Sequence, residues 1–127
     1  MSVDAYFAAL PEAPSAQLST VRAVLHGAAK AKNITLSESL KWGQPSFAPP
    51  RKLGTPVRLS WSEKSPDHCA FLVHCQTTLV ESWRHMYAAR FTYDGTRAVH
   101  LPLASSLPED ALHQMAVMAF TYHAAKP

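Results

Sequence analysis

The sequence predicts an α+β fold: a two-layer domain whose mainly antiparallel, five-stranded sheet carries packed helices, in the order α-α-β-β-β-α-β-β-α. Three observations carry this expectation. Val57, Leu59 and Trp61 alternate with Arg58, Ser60 and Ser62, the period-two pattern of a half-buried strand. Leu18, Val21, Leu25 and Ala28 recur at three- and four-residue spacing, the stripe of an amphipathic helix. Asp94-Gly95 falls between two strand-like runs, where a two-residue hairpin turn needs positive φ. Hairpin connections of this kind favour antiparallel pairing.

The elements follow in order. Val3 to Leu10 predicts a short helix with Asp4 in its first turn, stopped by Pro11. Ser15 offers the N-cap of the second helix, which Asn33 ends. Glu38 and Lys41, three apart, fit one side of a single helical turn over Ser37 to Trp42, broken by Gly43 and Pro45. In that arrangement Trp42 and Phe47 anchor the bend in the core. A strand follows at Ser46 to Ala48, then a loop from Pro49 to Gly54, then the strand Val57 to Ser62. From Cys69 to Cys75 both faces are largely apolar, which predicts an interior strand. Thr78 and Glu81 have capping-box spacing for a third helix with Leu79, Val80, Trp83, Met86 and Tyr87 inward. Pro108, Glu109 and Asp110 open the last helix, with acids suited to its N-terminal dipole.

Size and composition narrow the function. The 127 residues form one domain by length, 1–127, with 47% hydrophobic and 17% charged residues, which excludes disorder. No apolar run is long enough for a membrane span, and no secretory signal opens the chain, so the expected compartment is the cytoplasm. Twelve Lys and Arg against nine Asp and Glu give a formal charge of +3, spread along the chain with only Arg51-Lys52 adjacent. That dispersal argues against nucleic acid, whose binders concentrate charge on one stripe. Cys69 and Cys75, at strand spacing, lie about 20 Å apart at roughly 3.3 Å per residue, too far for a disulfide or one shared metal. Both are expected to be buried thiols.

Reaction motifs are missing. Seven histidines show no HExxH and no tight cluster, so no metal site and no cofactor are expected. Four dispersed glycines make neither a nucleophile elbow nor a phosphate-cradling loop. One constellation remains. Arg58 and Ser60 share the polar side of their strand; His74 and Gln76 follow the alternate side of theirs; Arg90 and Thr92 share a face with Arg97. With helices on one side of the sheet, these groups converge on the other as a basic, hydrogen-bonding hollow suited to a small anion or a protein partner. Glu38, Lys41 and Gln44 are not required by packing and form its candidate rim, beside Trp42 and Phe47.

The run Glu38-Ser39-Leu40-Lys41-Trp42-Gly43-Gln44-Pro45-Ser46-Phe47 resembles the hallmark of the YdhG-like family (DUF1801), small bacterial domains of unknown function. His74 to Glu81, Gly95 to Leu103, Leu107 to Leu112 and Thr121 to His123 resemble further blocks in the same order. The resemblance implies a two-layer α+β fold with a mainly antiparallel sheet and no assigned activity for most members. It also implies an alternative to the ligand- or protein-binding module, because some relatives are frataxin-like iron chaperones serving iron–sulfur or haem assembly. The expected function is therefore a non-enzymatic binding module, with iron delivery as the rival.

Overall fold

A computed structural model describes residues 2–124. Among them stand four helices and one open sheet of six strands, all antiparallel. Helices α1 (Val3–Ala8) and α2 (Glu12–Ala31) lead into β1 (Ser37–Lys41), β2 (Gln44–Ala48), β3 (Val57–Trp61) and β4 (His68–Leu72). Helix α3 (Leu79–Met86) precedes β5 (Thr92–Asp94) and β6 (Ala98–Pro102), and α4 (Glu109–Phe120) follows. The strand order is β1-β2-β3-β4-β6-β5, which makes β4 an interior strand as its two apolar faces require.

The sixth strand is β1, where the expected helical turn does not form. Ser37 to Lys41 instead pairs along its whole length with β2, from Ser37 opposite Ala48 to Lys41 opposite Gln44. That register leaves Trp42 and Gly43 as a two-residue turn, with φ 56° and 72°. Positive φ at both positions matches the strand twist and closes the hairpin. The change from period 3.6 to period 2 also separates Glu38 from Lys41, because residues three apart on a strand face opposite ways.

One face of the sheet is the floor of the core. Phe47, Val57, Leu59, Phe71, Val99 and Leu101 are buried there, beneath Leu18, Val21 and Leu25 of α2 and Leu112, Met115 and Phe120 of α4. Trp83 of α3 meets Phe71 edge to face. The opposite face carries Arg58, Ser60, His68, Ala70 and His100, with Ala70 in register between Ser60 and His100, and none of the five is fully buried. The side chains of His68 and His100 stack there, with ring centroids 4.1 Å apart.

Several local expectations shift. Helix α2 begins at Glu12, behind Pro11, and Ser15 uses its hydroxyl to reach the Phe7 carbonyl, 3.2 Å away, instead of capping. Asn33 does end the helix region, in the left-handed conformation at φ 55°. Thr78 makes no side-chain cap on α3; its backbone N–H donates to the Tyr122 hydroxyl at 3.1 Å. Met86 is exposed rather than inward. Asp94 pairs with Ala98, so the β5–β6 turn holds three residues, Gly95 to Arg97, and not two.

The loop between β2 and β3 is fastened to the end of α4. The Thr55 N–H donates to the Ala119 carbonyl at 2.9 Å, and the His123 N–H to the Leu53 carbonyl at 2.9 Å. Gly54 lies so close to α4 that a Cβ there would come within 2.2 Å of the Phe120 carbonyl oxygen. Only glycine allows this approach.

Candidate functional site

The β1–β2 hairpin sorts its polar residues by face. Glu38 turns to the helix side, where both carboxylate oxygens are taken by the Arg22 guanidinium and one also by His26 Nε2. Arg22 Nη1 reaches Asp4 at 3.0 Å as well. The hydrogen bonds from Arg22 hold the Glu38 carboxyl below its ordinary value, against the opposing effect of burial. Phe47, opposite Glu38, is buried in the core and meets His26 edge to face. Neither residue joins the candidate hollow; both tie the hairpin to α2.

On the other face the same hairpin presents Lys41, Trp42 and Gln44. A hollow of about 370 Å³ is lined by Trp42, Gln44, Arg58, Leu72, His74, Cys75 and Arg97. A second, of about 260 Å³, shares Trp42, Arg58 and His74 with the first and adds Lys41. A wider basin of about 770 Å³ shares Lys41 and His74 with the second and is also lined by Arg51, Gln76 and Tyr122. Together they form a groove with Arg97, Arg58, Lys41 and Arg51 along it and, among the described residues, no carboxylate in its lining. Among the described residues Lys41, Arg58 and Arg97 make no ion pair within 4.0 Å.

Local geometry fixes this arrangement. Arg58 sits opposite Ser46 and Leu72 in the middle of the sheet, so its stem rests on paired strands while its head stays wet. His74 leaves the end of β4 in a tight turn: its Nδ1 accepts from the Gln76 N–H at 3.1 Å and its carbonyl accepts from the Thr77 hydroxyl at 2.9 Å. The Thr96 hydroxyl donates to the Cys75 carbonyl at 3.1 Å, joining this turn to the one bearing Arg97. Trp42 stands at the hairpin tip, 90% exposed, instead of anchoring the core.

Of the residues singled out from the sequence, the groove therefore unites Lys41, Trp42, Gln44, Arg58, His74, Gln76 and Arg97. Ser60 lies on the same open face, opposite Ala70, but outside the hollows. Arg90 is elsewhere: it precedes β5 and grips Asp110 of α4 at 3.0 and 3.3 Å. Arg97, expected to share a face with Arg90 and Thr92, reaches the groove without them, from the β5–β6 turn. Arg51 was missed, and its place just after Pro49-Pro50 in a turn was the available signal.

Cys75 also differs from expectation. The strand stops at Leu72, leaving Cys75 exposed on the groove wall, while burial pushes the Cys69 thiol up to about 12. No group of three or more His, Cys, Asp or Glu side chains suited to a metal is found among the described residues. Among them, too, no helix is long and apolar enough to cross a membrane.

Fold and site together define a class: an antiparallel α+β domain with a groove, lined by cations and by no acidic side chain among the described residues, on the sheet face that its helices leave open. Comparison with family models, curated proteins and solved structures finds no match to this chain.

Proposed function

We propose that the protein is a non-enzymatic binding module whose groove takes a small anion, phosphate- or carboxylate-bearing, between Arg58, Arg97 and Lys41. One observation carries this reading: among the described residues, Lys41, Arg58 and Arg97 make no ion pair, and the adjoining hollows they line hold no acidic side chain. Placing like charges together raises the energy of the empty site, and an anion relieves it. Gln44, Gln76 and His74 add neutral hydrogen-bonding groups along the rim. The likeness of the Glu38-to-Phe47 run to the YdhG-like family fits a domain of this kind, with Lys41, Trp42 and Gln44 of that run at the groove. Its iron-chaperone branch draws no support from a cluster of carboxylates here, because Glu38 is held by Arg22.

Calorimetric titration with pyrophosphate tests the reading. Saturable binding is expected, weakened about tenfold or more by Arg58→Gln, since one hydrogen bond to a charged group contributes about 1.5–3 kcal/mol. Binding that is absent, or indifferent to Arg58, refutes it.

A further inference from the structure

We infer that Trp42 is a stacking platform and that the anion is a phosphate carrying a planar aromatic ring, a free mononucleotide in chemical class. This rests on the groove being an anion site. The starting point is a backbone outlier: Trp42 has φ 56°, in the left-handed region that bulky side chains avoid. The two-residue turn it forms with Gly43 is one that Asn-Gly or Asp-Gly makes with less strain. Packing does not compensate, because the side chain is 90% exposed. Local folding thus favours a different residue at this position, and burial gives no reason for an indole. Strain of this kind, held by a hairpin paired from Ser37 to Ala48, marks a working part.

The position of the ring supplies the ligand chemistry. Trp42 borders both hollows, and each also contains Arg58 and His74, with Arg97 in one and Lys41 in the other. A flat ring laid on the indole would place an attached phosphate among guanidinium and ammonium groups on the sheet. Gln44, the first residue after the turn, lines the same hollow with donor and acceptor groups for a ring edge. The hollow beside Arg97, about 370 Å³, is of the size that holds one small ligand. A single exposed ring serves one base, whereas strand-binding surfaces repeat such platforms.

Adenosine 5′-monophosphate and ribose 5-phosphate, titrated separately into the intact protein, distinguish the ring from the phosphate. The nucleotide should bind about tenfold more tightly and quench the exposed Trp42 emission, as stacking on an aromatic side chain predicts. Trp42→Asn, which suits the turn, should erase that preference while leaving ribose 5-phosphate binding intact and the melting temperature unchanged or raised; Trp42→Phe should retain most of the preference. Equal affinity for the two compounds, or a preference that survives Trp42→Asn, overturns the platform while leaving the anion site standing. Absence of binding by both overturns the anion site as well. A short single-stranded oligonucleotide that binds far more tightly than the mononucleotide overturns the assignment to a free nucleotide.

Discussion

On the helix side of the β1–β2 hairpin, Arg22 is held between two carboxylates, Asp4 and Glu38, and lies over the Phe7 ring. On the open side, Arg58, Lys41 and Arg97 line a groove with no carboxylate among the described residues. The two sides are a single peptide thickness apart and built from the same strands. The difference teaches that cations with internal partners tie elements of the fold together, whereas the proposed anion site is built from cations that the described residues leave unpaired. Changes on the first side should therefore cost stability, and changes on the second should cost binding.

The comparison can be broken most forcefully at Gly54, where the open-side basin meets the helix layer. Gly54→Ala would drive a methyl group into the Phe120 carbonyl, and a loss of about 3 kcal/mol in denaturant unfolding is expected. A near-neutral result would show that the loop and α4 are not rigidly joined. Next comes Glu38→Gln, expected to cost about 1–2 kcal/mol through weakened bonds to Arg22. The folded pKa of Glu38 lies below its ordinary 4.5, so its contribution is complete above that value and lost as pH falls through the folded one. Glu38→Gln should flatten this part of the acid unfolding curve.

On the open side the expected effects on stability are smaller. His100 has a lowered pKa, first from burial and then from the neighbouring His68. Its share of stability should therefore decline as pH falls below the ordinary imidazole value of 6.5 towards the folded one, a step that His100→Gln removes. Arg58→Gln should alter the unfolding midpoint least, within about 0.5 kcal/mol, while abolishing most pyrophosphate binding. A large stability loss there would erase the distinction between the two sides. The thiols sharpen it further: alkylation should label exposed Cys75 quickly and buried Cys69 only on unfolding, and bound pyrophosphate should slow the Cys75 reaction.

Much of the fold was legible because its signals were local. Val57 to Trp61 alternates, α2 carries its stripe, and Asp94-Gly95 marks a hairpin even though the turn takes three residues. The first hairpin hid itself. Ser-Glu-Ser-Leu-Lys has no strong strand preference, the Glu38–Lys41 spacing imitates a helical pair, and Trp is not a residue that announces a left-handed turn. Pairing with β2, a tertiary matter, decided the outcome. The same error placed Trp42 in the core and set Glu38 beside Lys41. For the site, strand alternation sufficed to set Arg58 on the open side, while His74, beyond the end of β4, reaches the groove from a turn. Arg90 went astray because it stands before β5 begins, where alternation has no authority, and Asp110 claims it. Arg51 and Arg97 belong to turns, whose direction sequence periodicity does not encode.

The fastening of residues 53–55 to the last helix has a consequence for a chain emerging from the ribosome. Arg51 and the basin floor owe their place to carbonyls and amides at residues 119–124, which are made some seventy residues later. Until that later segment docks, the newborn protein has half a groove, so ligand capture should report the docking of α4 and not merely the formation of the sheet.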